Sequence, residues 1–285
     1  MHYSGVDFLK RTITALLFAS VMLFCILKGK MWFTGLFALC TLLATVEFTG
    51  LSNRYKKCNA SPIWSAVTAL LFYGAIAYTA AGKGSLLWFS SFILSLIIVF
   101  VREIYTKHPG PMADIAYTLF PILYIALPYA LLSVLAYRFS SDPGTYSATI
   151  PLTLFIFLWC NDVGAYCVGC TIGRHKLFER ISPKKTWEGS TGGALLTIAA
   201  AILLYRFLPH LYNYQPIWVW LGMAFITVLF GTWGDLFESL LKREMGIKDS
   251  GHILPGHGGM LDRFDSALLA IPAVTVWFSA ITIFL

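Results

Sequence analysis

Long apolar runs alternate with short polar segments along almost the whole chain of 285 residues. A helix that crosses a bilayer needs about 20 mostly apolar residues, so each run near that length predicts one membrane span. The pattern predicts nine spans, near residues 12–27, 31–51, 62–81, 86–101, 115–137, 149–169, 191–208, 217–235 and 266–284. The predicted fold is therefore all-α, a polytopic integral membrane protein with about nine transmembrane helices.

Composition supports this interpretation. Charged residues make up 12% of the chain and hydrophobic residues 58%, whereas a soluble domain carries about 25% charged residues. The six cysteines are scattered through or beside apolar runs, unlike the dense framework of a small secreted domain, and we interpret them as buried thiols. Cys167 and Cys170 form an isolated C-x-x-C pair, for which packing is a better interpretation than a metal site.

Lys and Arg are divided unequally between the two sides of the predicted bundle. Of the 21 in the chain, those on the side opposite to the N-terminus are Lys28, Lys30, Lys83, Arg138 and Arg206. Cytoplasmic loops collect Lys and Arg. We therefore expect a cytoplasmic N-terminus, an external C-terminus, and two long polar segments, 170–190 and 236–265, that face the cytoplasm.

We find no linker or internal repeat that divides the chain, so we predict a single transmembrane domain, 1–285. Residues 1–148 should be mainly scaffold spans. Residues 149–285 hold both long polar segments and most acidic residues, and should form the catalytic half. Because a charged group facing lipid at mid-bilayer costs roughly 2.5 to 3.5 kcal/mol, these charges should line a polar cavity open to the cytoplasm.

Two pairs of carboxylates are spaced three residues apart: Asp235 with Glu238, and Asp262 with Asp265. Residues at i and i+3 share a helix face. Such pairs on facing helix ends supply hard oxygen ligands suited to Mg²⁺, which also bridges substrate phosphates. The alternative is capping and salt bridging with nearby basic side chains, which explains one carboxylate more easily than all four.

A glycine-rich segment, Leu254–Gly259, lies between these pairs. Glycine permits conformations in which successive N–H groups converge on an anion such as phosphate. A turn that needs glycine only for steric reasons is almost equally well supported. We favour a phosphate contact for His257 over simple packing.

A second polar motif reads SPKKTWEG at residues 182–189. Its Ser-Pro turn should aim Lys184 and Lys185, while Thr186 or Ser190 caps the next span and offers the helix N-terminus to an anion. The alternative is that these lysines only satisfy the positive-inside rule or touch anionic lipid heads.

Two further polar sites lie inside apolar runs. Asn161 and Asp162 are adjacent within the predicted span 149–169, and an intramembrane carboxylate is by default a candidate functional residue. Glu47 in the second predicted span has no assigned role; cavity lining and a hydrogen bond to a neighbouring helix both stay open.

Residues 239–265 carry the pattern S-x-L-K-R, then K-D-x-G, then L-P-x-H-G-G-M-x-D-R-F-D. This pattern resembles the complete signature of the phosphatidate cytidylyltransferases, also called CDP-diacylglycerol synthases. The SPKKTWEG motif and the Asn161–Asp162 pair resemble upstream elements of the same family. The length and the hydropathy of the chain agree with the resemblance throughout.

The resemblance implies that CTP and phosphatidic acid react to give CDP-diacylglycerol and pyrophosphate in a bacterial-type inner membrane, with Mg²⁺ and room left for a second cation. It places metal-binding aspartates at Asp235 and Asp262, which with Lys242 and Arg263 form the expected catalytic set. A homodimer is left open, and no nucleic-acid partner is expected. The expected substrate-binding residues are Lys184, Lys185, Arg243, Lys248, His257, Gly258, Gly259, Asp265, Asn161 and Asp162.

The residues themselves are suited to this chemistry. Both substrates are anionic, so cations should do most of the catalysis. The second pKa of a phosphomonoester lies near 6, so the attacking lipid phosphate is already largely ionised. A CTP-dependent polyprenol or phytol kinase is the main alternative, but it needs a base for its hydroxyl substrate. A transporter of anionic substrates is more remote, because it should have paired broken helices in two halves, whereas here the polar residues lie mostly in one half.

Overall fold

The computed structural model describes residues 5–139, 142, 144–251 and 258–284, with side chains described between residues 12 and 283. Within these ranges most of the chain lies in nine long helices. They are α1 (Gly5–Lys28), α2 (Lys30–Lys56), α3 (Pro62–Ala80), α4 (Leu86–Tyr105), α5 (Pro111–Arg138), α6 (Thr149–Ile172), α7 (Trp187–Phe207), α8 (Ile217–Glu244) and α9 (Asp265–Phe284).

The predicted all-α membrane fold is confirmed. Among the described residues, helices α2 to α9 are long and apolar enough to cross a membrane, while α1 has a shorter apolar stretch, Thr12–Lys28. Helix α8 continues past the predicted boundary at 235 to Glu244. Its last turns contain Leu, Lys, Arg and Glu, which are good helix formers but do not belong to an apolar run.

Three shorter elements interrupt or join the long helices. The middle of α5, Ile122–Ala126, is π-helical and follows Pro121. A single helical turn, Pro209–Tyr212, precedes α8, and a 3₁₀ turn, Leu261–Arg263, precedes α9.

The polar segment between α6 and α7 forms a β-hairpin. Strand β1 (Lys176–Phe178) pairs antiparallel with β2 (Ser182–Thr186), and Lys176 lies opposite Thr186. The hydroxyl oxygen of Thr186 then accepts a hydrogen bond from the Gly189 N–H at 3.1 Å and caps α7. Of the two predicted caps, the structure therefore has Thr186 in this role.

Glycines allow the helices that carry the polar segments to pack closely. A Cβ atom built on Gly164 of α6 would lie 2.7 Å from the carbonyl oxygen of Gly192 on α7. A Cβ atom on Gly234 of α8 would lie 2.5 Å from the carbonyl oxygen of Asp265 on α9. Small residues let helix backbones approach in a membrane, so α6 packs tightly on α7, and α8 on α9.

An aromatic cluster joins the two halves of the chain. The ring of Phe264, which is 1% exposed, lies 6.3 Å from Phe37 of α2, 5.3 Å from Tyr129 of α5 and 6.2 Å from Phe155 of α6. This places the start of α9 against scaffold helices. The single-domain description and the functional division at residue 148 stay predictions.

The interpretation of all cysteines as buried thiols is wrong for two of them. Cys167 and Cys170 are exposed on α6, whereas Cys25, Cys40 and Cys58 are buried and Cys160 is half-buried. An apolar face of a membrane helix needs no protein cover, because lipid surrounds it. All six thiols are free.

The contact between α6 and α7 can be tested with one added methyl group. We expect Gly164→Ala to lower the melting temperature of the purified protein, because overpacking against backbone costs about 1 to 3 kcal/mol. Gly50→Ala on α2 is the matched control, since its Cβ would meet nothing within 4 Å. Equal melting temperatures for the two variants would contradict the close contact.

Candidate functional site

Both polar segments meet at one end of the bundle. The last residues of α2 and α8 are joined there by an ion pair between Lys56 and Glu244. The hairpin reaches α8 through Lys185, whose Nζ lies 2.6 Å from Oδ2 of Asp235. The two halves of the predicted signature and the SPKK motif therefore occupy the same region.

Asp262 is held by four hydrogen bonds. Its Oδ2 atom accepts from the N–H of Ser250 (2.8 Å), the hydroxyl of Ser250 (2.9 Å) and the N–H of Gly259 (2.8 Å), and Oδ1 accepts from Lys242 (2.8 Å). Burial raises the pKa of Asp262, but the bonds from Lys242, Gly259 and Ser250 lower it more, so its pKa lies below the ordinary value. Asp262 is thus fixed as an anion in contact with a cation.

Lys242 is the cation that joins α8 to this carboxylate. Its Nζ atom lies 2.8 Å from Asp262 and 3.0 Å from Oε1 of Glu238, one helical turn earlier. The Glu238 side chain is 4% exposed and the Lys242 side chain 17%. The i,i+4 spacing places both side chains on one face of α8. The salt bridging that the sequence offered as the alternative to a metal site is therefore observed for Glu238 and Asp262.

A second group of carboxylates lies near Asp235, which itself contacts Lys185. Asp235 contacts Lys185 and also accepts a hydrogen bond from the Ser239 hydroxyl at 3.2 Å. Asp162 on α6 interacts electrostatically with both Asp235 and Lys185. Asp265 at the start of α9 interacts with Asp235 and Asp162. Helices α6, α8 and α9 each contribute one aspartate here.

The two groups hold more acid than base. The contacting lysines are Lys185 and Lys242, and the carboxylates are Asp162, Asp235, Glu238, Asp262 and Asp265. Hard carboxylate oxygens in excess of nearby cations are a donor set that suits Mg²⁺. The chemistry of the site therefore fits the predicted metal.

The fit is better at Asp235 than at Asp262. Among the described residues, no three or more His, Cys, Asp or Glu side chains are placed to hold a metal ion. Mg²⁺ usually takes only one or two carboxylates and completes its shell with water and substrate phosphates. Asp235 is half-buried and contacts two groups, Lys185 and the Ser239 hydroxyl, whereas Asp262 accepts four hydrogen bonds.

The glycine-rich segment is described only at its end, and His257 lies outside the described residues. Gly258 has φ +84°, a conformation that favours glycine. The N–H of Gly259 donates to Asp262, while the N–H groups of Met260 and Leu261 donate to Glu47 at 2.8 and 3.2 Å. These described N–H groups therefore bind protein carboxylates. Of the three, Gly259 belongs to the segment for which phosphate binding was one of two interpretations.

Several predicted binding residues lie at this end without an ion-pair partner among the described residues. Four of them are exposed: Lys184, Arg243, Lys248 and Arg263. Asn161, in contrast, is 4% exposed. It packs against Gly193 of α7, where an added Cβ atom would lie 2.5 Å from the Oδ1 atom of Asn161. That oxygen has no hydrogen-bond partner among the described residues.

Beside the site, sequence reasoning left Glu47 without an assigned role and missed Tyr124. Glu47 contacts the segment before α9, as described above, and its only signal was a lone carboxylate in an apolar run. Tyr124 lies in the π-helical part of α5, with its ring 5.2 Å from Phe237 and its buried hydroxyl unpaired among the described residues. π-Helical turns are frequent at functional sites, but the sequence pattern did not reveal this one.

A cavity of about 850 Å³ lies at the opposite end of the bundle. Its lining is mostly apolar and includes Thr34, Tyr73, Trp88 and Tyr146. These residues belong to the start of α2, the end of α3, the start of α4 and the segment before α6, far along the helices from Asp262. It is therefore not the predicted polar cavity.

Comparisons with known proteins give one consistent result. A model described as the cytidylyltransferase family matches residues 9–281. A phosphatidate cytidylyltransferase of Staphylococcus aureus (strain COL) is 32% identical over 266 residues, which cover 93% of this chain and 97% of that protein. The proteins of the same name from Staphylococcus haemolyticus and Staphylococcus epidermidis show the same identity and coverage.

The pairing of Lys242 with Glu238 predicts a large effect on stability. Lys242→Met should destabilise the protein by about 3 to 5 kcal/mol, because it leaves a buried carboxylate without its cation. The double variant Lys242→Met with Glu238→Gln should recover part of this loss, as measured by thermal unfolding of the purified protein. If the second substitution lowered stability further, the ion pair would not be the source of the effect.

Proposed function

This chain belongs to the cytidylyltransferase family, and from that premise we propose that it transfers the cytidylyl group of CTP to phosphatidic acid, releasing pyrophosphate and forming CDP-diacylglycerol. The family confirms the resemblance found in residues 239–265 and makes the chain a nucleotidyltransferase. The observation that carries the finer proposal is the convergence of Lys185, Asp235, Lys242 and Asp262 at one end of a membrane bundle.

The basic residues would bind and neutralise the phosphates. Lys185 and Lys242 already contact carboxylates, so they are held in place before substrate arrives. Exposed Arg243, Lys248 and Arg263 supply further positive charge for the triphosphate and the pyrophosphate leaving group. Preorganised cations of this kind stabilise charge that develops during phosphoryl and nucleotidyl transfer.

Asp235 and Asp262 are the residues that would hold Mg²⁺. When bound, the ion would supply neutralisation of the CTP phosphates and polarisation of the α-phosphorus. Asp162 and Asp265 add negative charge next to Asp235 and so favour a cation there. The lipid phosphate needs no strong base, since it is largely ionised at pH 7.

Orientation is also part of the proposal. Both polar segments lie at the end of the bundle that is rich in Lys and Arg, which the positive-inside rule assigns to the cytoplasm, where CTP is found. The N-terminus would be cytoplasmic and the C-terminus external, in a bacterial inner membrane. Phosphatidic acid would enter sideways from the bilayer, attracted by the same basic end.

Labelled CTP distinguishes this reaction from its alternative. With purified protein and phosphatidic acid, we expect the label of α-³²P-CTP to enter lipid and that of γ-³²P-CTP to leave as pyrophosphate. A polyprenol or phytol kinase would place the γ-label in lipid, which would refute the proposal. A transporter would place neither label there.

The same assay tests Asp262. Asp262→Asn should lower kcat at least about 10²-fold, because it removes the charge that holds Lys242 and leaves a weaker ligand for a cation. Glu179→Gln, a carboxylate-to-amide change at an exposed position of the hairpin, is the matched control and should retain activity. Full activity of Asp262→Asn would remove this residue from the catalytic set.

Metal dependence tests Asp235 separately. A chelator should abolish turnover and added Mg²⁺ should restore it. Asp235→Asn should raise the Mg²⁺ concentration needed for half-maximal rate, on the order of 10-fold or more, by the loss of a charged oxygen ligand. An unchanged Mg²⁺ requirement in this variant would assign the metal to other residues.

A further inference from the structure

Glu47 connects the scaffold helices to the signature segment. It lies on α2, nine residues before the end of the helix at Lys56. Its Oε2 accepts a hydrogen bond from the N–H of Met260 at 2.8 Å, and its Oε1 accepts from the N–H of Leu261 at 3.2 Å. Oε1 also contacts the hydroxyl of Ser250, whose one proton is shared between Glu47 and Asp262. One carboxylate thus binds both ends of the connection between α8 and α9.

Asp262 binds the same two ends from the other side. It accepts hydrogen bonds from Ser250 and Gly259, as does Glu47 from Ser250 and Met260. The Ser250 hydroxyl lies between the two carboxylates. Together they hold residue 250 close to residues 259–261 and fix the place where the signature segment leaves α8 and rejoins α9.

Two glycines of the signature make room for Glu47. A Cβ atom on Gly259 would lie 2.1 Å from Oε1 of Glu47, and one on Gly251 would lie 2.8 Å from Oε2. Side chains at these positions would displace the carboxylate. Glycine is therefore required at both positions to leave space for a side chain of α2, besides any contact with a nucleotide.

We propose that Glu47 is a positioning residue for nucleotidyl transfer: it anchors Ser250 and Met260–Leu261 to α2, so that Asp262 holds Lys242 in the orientation that meets the CTP phosphates. Glu47 acts through Asp262, whose contact with Lys242 is 2.8 Å. The catalytic part of this proposal rests on the proposed function. The anchoring part concerns the protein alone and can fail or succeed separately.

A carboxylate suits this task better than an amide. A carboxylate offers only acceptor atoms, and both oxygens of Glu47 accept from donors in the segment. Glutamine has the same shape, but an NH₂ group replaces one of the two oxygens. An NH₂ group cannot accept a hydrogen bond from a backbone N–H or from a hydroxyl. Glu47→Gln therefore removes part of the anchoring without creating a cavity.

The experiment combines hydrogen exchange with kinetics on the full-length protein in lipid nanodiscs. Exchange is followed by mass spectrometry on peptides that cover residues 258–264, and kcat and KM are measured for both substrates. We expect Glu47→Gln to speed exchange at Met260 and Leu261, leave α9 protected, and lower kcat by about 10²-fold, the loss expected from a displacement near 1 Å. KM for phosphatidic acid should stay within about two-fold, since the hydrogen bonds described for Glu47 go to Ser250, Met260 and Leu261.

Glu103→Gln is the matched control. Glu103 is also a buried membrane-helix carboxylate, but it lies on α4, which packs on α3 and α5, and it pairs with Arg102. This variant should leave both exchange at Met260 and kcat unchanged. For each variant, kcat is calculated from the concentration of folded, monodisperse protein. A lower yield of folded protein is then not mistaken for a lower kcat.

Each outcome decides the proposal. Faster exchange with normal kcat would show that Glu47 anchors the segment but that catalysis does not need it, and would overturn the inference. Lower kcat with unchanged exchange would show direct action on substrate and would also overturn it. If Glu47→Gln did not fold, Glu47→Asp would replace it, because aspartate keeps the charge on a shorter side chain. Glu47→Asp should also speed exchange at Met260 and Leu261, with a smaller loss of kcat than that expected for Glu47→Gln. Absence of CDP-diacylglycerol from wild-type protein would refute the proposed function and leave the exchange result valid.

Discussion

Charged groups within a membrane bundle must find partners, and this constraint explains the organisation of the site. An uncompensated charge in a low-dielectric interior is costly, yet five carboxylates from α6, α8, α9 and the preceding turn gather around two lysines. Each lysine touches at least one carboxylate, and Lys242 touches two. The remaining negative charge can be offset by protons, by the exposed basic side chains Arg243, Lys248 and Arg263 at the same end, or by cations from solution. An excess of carboxylate oxygens of this kind is a donor set that suits a divalent cation.

Packing at glycine makes this arrangement possible. Gly164 lets α6 approach α7, and Gly234 lets α8 approach the start of α9 at Asp265. Phe264, between Asp262 and Asp265, is buried against aromatic rings of four other helices, α1, α2, α5 and α6. The two aspartates therefore flank a residue that cannot move without disturbing the core. Their positions follow from hydrocarbon packing as much as from electrostatics.

The sequence predicted most of the fold because lipid imposes a simple rule on length and hydropathy. All nine predicted spans correspond to helices, and the signature residues of α8 and α9 were correctly expected to lie together with SPKK. Local pattern could not reveal the hairpin, since strands of three and five residues carry too little periodicity. It could not assign the partner of Glu47 either. Glu47 accepts from backbone N–H groups, which almost every residue type has, so the sequence does not show which residues donate. The exposure of Cys167 and Cys170 was missed because hydropathy does not distinguish a face toward lipid from one toward protein.

The contacts of Glu47 change how the glycine-rich signature is interpreted. A run of glycines beside carboxylates suggests N–H groups that await a phosphate, and that expectation treats the segment as a binding loop in isolation. In the described part, Gly259, Met260 and Leu261 instead donate to Glu47 and Asp262. Backbone donors committed to protein carboxylates cannot bind phosphate at the same time, so within the described part of this segment the neutralising charge for the CTP phosphates is left to side chains. Lysines and arginines can neutralise the phosphates only if the segment between α8 and α9 is itself held in place. Glu47, the carboxylate that holds this segment from outside, belongs to α2. That helix lies in the half of the chain that carries no part of the signature.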